Sequence, residues 1–175
     1  QANGSDETVK GASFDAKTGS VTVPARTVAV FTQAAGERID PTVTPDPDTA
    51  QWVASGDGRW WLRYPDGSYP ANERVVRDGV TYSFDANGWM KTGWQVEDGV
   101  WRYYAPSGAM ATGWTAVGGT WYYLDPDTGA MATGWLKDGD TWYYLHDSGA
   151  MASGWVNLGG AWYYLDPSGA MHTGW

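Results

Sequence analysis

The residues of this chain best equipped for chemistry are aromatic rings placed at fixed intervals. A Gly-Trp pair recurs at Trp94, Trp114, Trp135, Trp155 and Trp175, at spacings of 20, 21, 20 and 20 residues. Seven residues after each of the first four stands a second tryptophan, Trp101, Trp121, Trp142 or Trp162, opening the tetrapeptides WRYY, WYYL, WYYL and WYYL. Ring faces are electron-rich, so converging rings attract a cation, and the methyl groups of a quaternary ammonium ask for no hydrogen bonds. Each ring contributes about 0.5–2 kcal/mol, so a three-ring box gives affinity of roughly millimolar order. Firm attachment then requires several boxes engaging one polymer, which a tandem array supplies.

Other chemistries find little here. Only four glutamates exist (Glu7, Glu37, Glu73, Glu97), none inside the regular strand-like tetrapeptides, and most aspartates sit in turns, so no carboxylate pair of a glycosidase is expected. His146 and His172 have no companions at metal-ligand or triad spacing, and there is no cysteine. The glycines are turn and repeat glycines, not a phosphate cradle. The sequence therefore predicts no catalytic residues, no metal and no cofactor. A net charge of −9 and a pI near 4.4 exclude nucleic acid as the natural partner, because a phosphate-backbone binder needs a basic face. Residues 95–175 alone hold eight acids against two bases. That surface suits a cationic ligand, although turn acids have a structural role by default. No apolar run is long enough to span a membrane.

These rings need elements to position them. Trp-Tyr-Tyr-Leu has high strand propensity, and each copy is followed by a turn, APSG, DPDTG, HDSG or DPSG, and then by Ala-Met and the next Gly-Trp. The 21-residue spacing matches the one-residue-longer turn at residues 125–129. Each unit reads as a hairpin whose first strand is WYYL and whose returning strand runs from Ala-Met to Gly-Trp. One hairpin cannot bury its own face, so neighbours must stack. The fold expected is all-β, a solenoid of stacked hairpin repeats of about twenty residues. Alternation along a strand puts Leu124, Leu145 and Leu165 in the core with Tyr122, Tyr143 and Tyr163. It puts the opening tryptophans on the opposite face with Tyr103, Tyr123, Tyr144 and Tyr164. Met110, Met131 and Met151 are better suited to filling core than to flooring a pocket. A groove between hairpins would be walled by two tryptophans of one unit and a tyrosine of the next.

Composition divides the chain further. Residues 1–33 end in two short alternating runs, Ser20-Val21-Thr22-Val23 and Val28-Ala29-Val30-Phe31, read as the last strands of an upstream β-domain. Residues 34–50, rich in Pro, Asp and Thr, read as a linker. Residues 51–93 are degenerate repeats: Thr81 stands where the opening Trp belongs, Ser83 where the second Tyr belongs, and Arg74 near an expected Gly-Trp. They are expected to act as a cap and to hold no ligand. Residues 94–175 form the regular array.

The repeated pattern GWTAVGGTWYYLDPDTGAMATGW closely resembles the choline-binding, or cell-wall-binding, repeats of bacterial and phage surface proteins, over roughly residues 58–175. That resemblance implies a left-handed hairpin solenoid holding choline of teichoic acids between consecutive hairpins. Carried over, the cages are Trp94, Trp101 and Tyr123; Trp114, Trp121 and Tyr144; and Trp135, Trp142 and Tyr164. A fourth, begun by Trp155 and Trp162, lacks its next hairpin. The segment KGASFDAKTGSVTVPARTVAVFTQ looks like the end of the C-terminal β-domain of pullulanase-type α-glucan hydrolases. Together these imply a non-catalytic, extracellular, wall-associated module anchoring such an enzyme. Related repeats bind α-glucans, so a starch-binding module is the second reading, and a ligand-free spacer with every Gly-Trp ring buried is the third.

Overall fold

A computed structural model of the protein describes residues 13–15 and 20–22 by their backbone and residues 45–173 in full. Apart from a 3-10 turn at Pro47–Thr49, the described elements are strands, paired two by two into antiparallel hairpins. Ser13–Asp15 pairs with Ser20–Thr22. The expected strand at Ser20-Val21-Thr22-Val23 therefore pairs backwards in sequence, and Val28-Ala29-Val30-Phe31 lies outside the described residues. The end of the expected linker is structured. Asp46 caps the 3-10 turn, Asp48 accepts the Asp78 N–H at 2.8 Å, and Ala50 is buried.

Six hairpins follow. Hairpin 1 joins Gln51–Ala54 to Trp60–Arg63, and hairpin 2 joins Arg74–Arg77 to Val80–Ser83. Hairpin 3 joins Gly93–Glu97 to Val100–Tyr104, and hairpin 4 joins Gly113–Val117 to Thr120–Leu124. Hairpin 5 joins Gly134–Asp138 to Thr141–Leu145, and hairpin 6 joins Gly154–Leu158 to Ala161–Leu165.

The hairpin is framed differently from the sequence expectation. Gly-Trp lies in the first strand of each regular unit and WYYL in the second, so Trp94 sits opposite Tyr103 and Trp114 opposite Tyr123. The reason lies in the turn between them. Asp98-Gly99, Gly118-Gly119 and Gly159-Gly160 all have positive φ at both positions. Such two-residue loops match the twist of paired strands. The Pro-containing turns lead instead to a single bridge, such as Leu124 to Met131, and on to the next unit.

Each hairpin is its own two-stranded sheet, and neighbours are tied by one backbone bond per unit. The N–H of Met110 donates to the Thr81 carbonyl, that of Met131 to Trp101 and that of Met151 to Trp121, each at 2.8 Å. The side chain of the same methionine lies under the next turn's glycine. A Cβ on Gly129 would stand 2.6 Å from the Met110 sulfur, and one on Gly149 2.3 Å from that of Met131. A side chain there would have to push the methionine aside and would sit strained at positive φ. Methionine thus fills the seam between units, as its flexibility suits it to do. Leu124, Leu145 and Leu165 are fully buried, as alternation predicts, and Leu62, Phe84 and Tyr104 are buried likewise in earlier hairpins.

Candidate functional site

The stacking geometry decides which rings meet. On hairpin 3, Trp94 and Tyr103 are cross-strand partners, and their centroids lie 5.2 Å apart. Trp101, diagonally placed on the same face, lies 6.3 Å from Trp94 with the planes at 82°. The next hairpin approaches with its opposite face, and its ring nearest Trp94 is Tyr122, at 4.7 Å and 67°. Trp94, Trp101, Tyr122 and Met131 line one cleft of about 300 Å³, with Asp147 and Ser148 at its edge. Those last two belong to the turn after hairpin 5, so three successive units contribute to the cleft.

The same contacts recur down the array. Trp114 meets Tyr143 at 4.7 Å, and Trp135 meets Trp142 at 6.2 Å and Tyr163 at 4.9 Å. The tyrosine assignment therefore needs correcting. Tyr123, Tyr144 and Tyr164, expected to close the cages of preceding units, pair with Trp114, Trp135 and Trp155 of their own hairpins. Units stack face to back, so the ring that reaches the previous tryptophans must come from the other side of the strand. Of the tryptophans in the three expected cages, Trp94 lies beside Trp101 and Trp135 beside Trp142 on the face of one hairpin. Trp101, Trp121 and Trp142 are 47%, 46% and 39% exposed, leaving ring surface open to a ligand. Trp155 and Trp162, on the last described hairpin, are more exposed still.

The turn acids have their own work. Asp125 is held below its ordinary value by the Thr128 hydroxyl and backbone N–H, and Asp166 by the Ser168 hydroxyl. They stabilise turns. Asp147 is different in kind, since it lines the ring cleft.

Residues 73–112, 91–133 and 111–154 match the model of the choline-binding repeat, and residues 153–171 that of the putative cell wall binding repeat. The hairpin array belongs to the choline-binding repeat family. Choline binding protein F from Streptococcus pneumoniae, solved with a peptidoglycan analogue, is 41% identical with a TM-score of 0.66, over 71% of this chain and 45% of that one. CbpJ from Streptococcus pneumoniae TIGR4 is 43% identical with a TM-score of 0.65, over 71% and 46%. The multimodular pneumococcal cell wall endolysin from phage Cp-1, solved with choline, is 37% identical with a TM-score of 0.53, over 79% and 40%. The chain thus spans less than half the length of these solved relatives. No curated protein matches it. Among the described residues no cluster of His, Asp and Glu is suited to a metal, and no helix is long and apolar enough to cross a membrane.

The matched choline-binding repeats begin at residue 73, yet an equivalent ring set lies before and across that boundary. Trp52, Trp60, Tyr82 and Met90 line a cleft of about 320 Å³ with Pro106 and Ser107 of the turn two units on. Trp52 meets Tyr82 at 4.9 Å, and the Met90 N–H donates to the Trp60 carbonyl. The placement matches that around Trp94, with Leu62 where Tyr103 stands and Pro106 where Asp147 stands. The repeat spacing does not reveal it, because Gln51 replaces the glycine before Trp52 and the two tryptophans are eight residues apart. The shared signal was the Trp60-to-Tyr82 interval, close to the Trp101-to-Tyr122 interval.

Between hairpins 2 and 3 no such set forms. Thr81 and Arg74 occupy the two tryptophan positions, and Arg102 that of the closing tyrosine. A polar network lines the junction, beside a cleft of about 320 Å³ edged by Arg74, Ser83, Lys91 and Glu97. Glu97 accepts hydrogen bonds from the Ser83 hydroxyl, from Lys91 Nζ at 2.9 Å and from the Tyr104 hydroxyl at 2.7 Å. Burial alone would raise the Glu97 carboxyl, but these three donors outweigh it and hold it below its ordinary value. Burial, and then the bond to Glu97, push Tyr104 up to about 12. Arg102 is buried and donates to the Thr128 and Glu97 carbonyls.

Proposed function

We propose that this array is a non-catalytic wall-binding module holding a quaternary ammonium group, choline of a wall polymer, in Trp/Trp/Tyr clefts between hairpins. The observation that carries the reading is the corner formed by Trp94, Trp101 and Tyr122. Three rings converge there, one of the tryptophans is half exposed, and a carboxylate stands at the edge. Rings supply the cation–π attraction and Asp147 the field. The sites proposed are Trp94/Trp101/Tyr122, Trp114/Trp121/Tyr143 and Trp135/Trp142/Tyr163. The choline-bound phage endolysin, whose repeats this chain resembles, supports the ligand. By the resemblance of residues 10–33, the cargo of the module is a pullulanase-type hydrolase held at the outside of the cell.

The spacer reading requires buried Gly-Trp rings, whereas Trp94 and Trp114, with further hairpins stacked after them, are only partly buried. A starch-binding role requires directed hydrogen bonds beside the rings, and the Trp94 cleft offers few. Titrating choline and maltoheptaose in parallel, by calorimetry and Trp fluorescence, tests the proposal. Choline binds at roughly millimolar strength per site, Trp121→Ala removes part of the signal, and maltoheptaose is silent. A chain indifferent to tens of millimolar choline (order of magnitude from the same ring energies) rules the proposal out.

A further inference from the structure

The ring sets share two tryptophans and a closing tyrosine but differ in the residues beside them, most at one position. The last residue of each first strand lies on the face turned toward the preceding hairpin, two residues beyond the partner of the closing tyrosine. It is Arg77 in hairpin 2, Val117 in hairpin 4, Asp138 in hairpin 5 and Leu158 in hairpin 6. In hairpins 5 and 2 its neighbour across the junction is the first tryptophan of the preceding unit. Asp138 accepts the indole N–H of Trp114 at 2.9 Å. The Arg77 guanidinium carbon stands over the Trp52 ring, 5.9 Å from its centroid.

These two contacts act in opposite directions on a bound cation. A carboxylate accepting the indole N–H pushes electron density into the ring and sets a negative charge at its edge. A guanidinium over the ring occupies the field that an incoming cation would use. The turn that closes each cleft adds to the contrast, with Pro106 at the Trp52 cleft and Asp147 at the Trp94 cleft. We infer that the residue ending each first strand sets the cation preference of the preceding ring set. Asp138 makes the Trp114 set the strongest cation site and Arg77 makes the Trp52 set the weakest. The Trp52 set, which lies largely outside the matched repeats, then favours a neutral group of the same shape. The inference rests on the quaternary-ammonium reading above.

Indole N–H resonances of the ¹⁵N-tryptophan-labelled chain, assigned by single substitutions, report each set separately. Choline and its neutral isostere 3,3-dimethylbutan-1-ol are titrated against wild type, Asp138→Asn, Asp138→Leu and Arg77→Val. Leu and Val already stand at this position in hairpins 6 and 4, so the backbone accepts both. The choline-to-isostere affinity ratio is expected to be highest at Trp114 and lowest at Trp52. It falls about fivefold at Trp114 in both Asp138 variants, and rises about fivefold at Trp52 in Arg77→Val, the size of a screened charge–charge effect, Arg77 being offset by Asp78 at 3.5 Å. Ratios at Trp94 stay unchanged. A Trp114 ratio equal in wild type and Asp138→Asn overturns this inference while leaving the wall-binding reading intact. Choline moving no indole in wild type overturns both.

Discussion

Hairpins 2 and 3 meet through a polar network, while hairpins 3 and 4 meet through rings, and the backbone link is the same in both. Met110 bonds to the carbonyl of Thr81 as Met131 bonds to that of Trp101, at the same 2.8 Å. Stacking therefore needs the methionine and the glycine above it, and does not need the tryptophan. Where an element is unnecessary for assembly and remains half exposed, its persistence calls for another explanation, and ligand binding supplies one. The polar junction shows what the array looks like when that requirement is absent. Ser83, Lys91 and Tyr104 spend their donors on a single internal carboxylate.

Three experiments press on this contrast. The largest effect is expected from Glu97→Ala, which strands three donors around a nearly buried carboxylate. It should cost about 3 kcal/mol in urea unfolding and leave choline binding at Trp114 unchanged. Choline binding lost along with stability would mean the two junctions are not independent. Next, Gly149→Ala places a Cβ against the Met131 sulfur at a φ of +80°. It should cost about 2 kcal/mol, against about 1 kcal/mol for Gly118→Ala, where the φ is positive but the space is open. Equal losses at both positions would remove the methionine seam from the account. The smallest effect is the pH dependence that the polar junction contributes. Tyr104 has a raised value in the fold, so its contribution is complete below the ordinary tyrosine value of 10.0 and is lost as pH rises toward about 12. Glu97 is depressed, so its contribution is present above the ordinary carboxylate range and is lost on acidification. Tyr104→Phe should flatten the alkaline limb in thermal melts, and an unchanged limb would contradict the assignment.

Much of this was readable from the residues. Alternation alone places Leu124, Leu145 and Leu165 in the core, and the repeat period gives the length of each regular unit. The register was harder, because each unit carries two turn signals. Asp-Gly or Gly-Gly closes the hairpin, and the Pro-containing loop only redirects the chain. Periodicity cannot rank two turns, whereas backbone φ can. The error over Tyr122 and Tyr123 had a related cause. Both rings lie on the same strand, and choosing between them requires knowing that the next unit presents its back. The Trp52 set escaped because its spacing differs by one residue from the rest.

The single backbone tie between consecutive hairpins has a mechanical side. Among the described residues no ladder of backbone bonds runs from hairpin to hairpin, so tension applied across the array is borne by one weak clasp after another. A tether made this way dissipates load by releasing about twenty residues at a time, roughly 70 Å of slack per release, and each detached loop still carries its own rings.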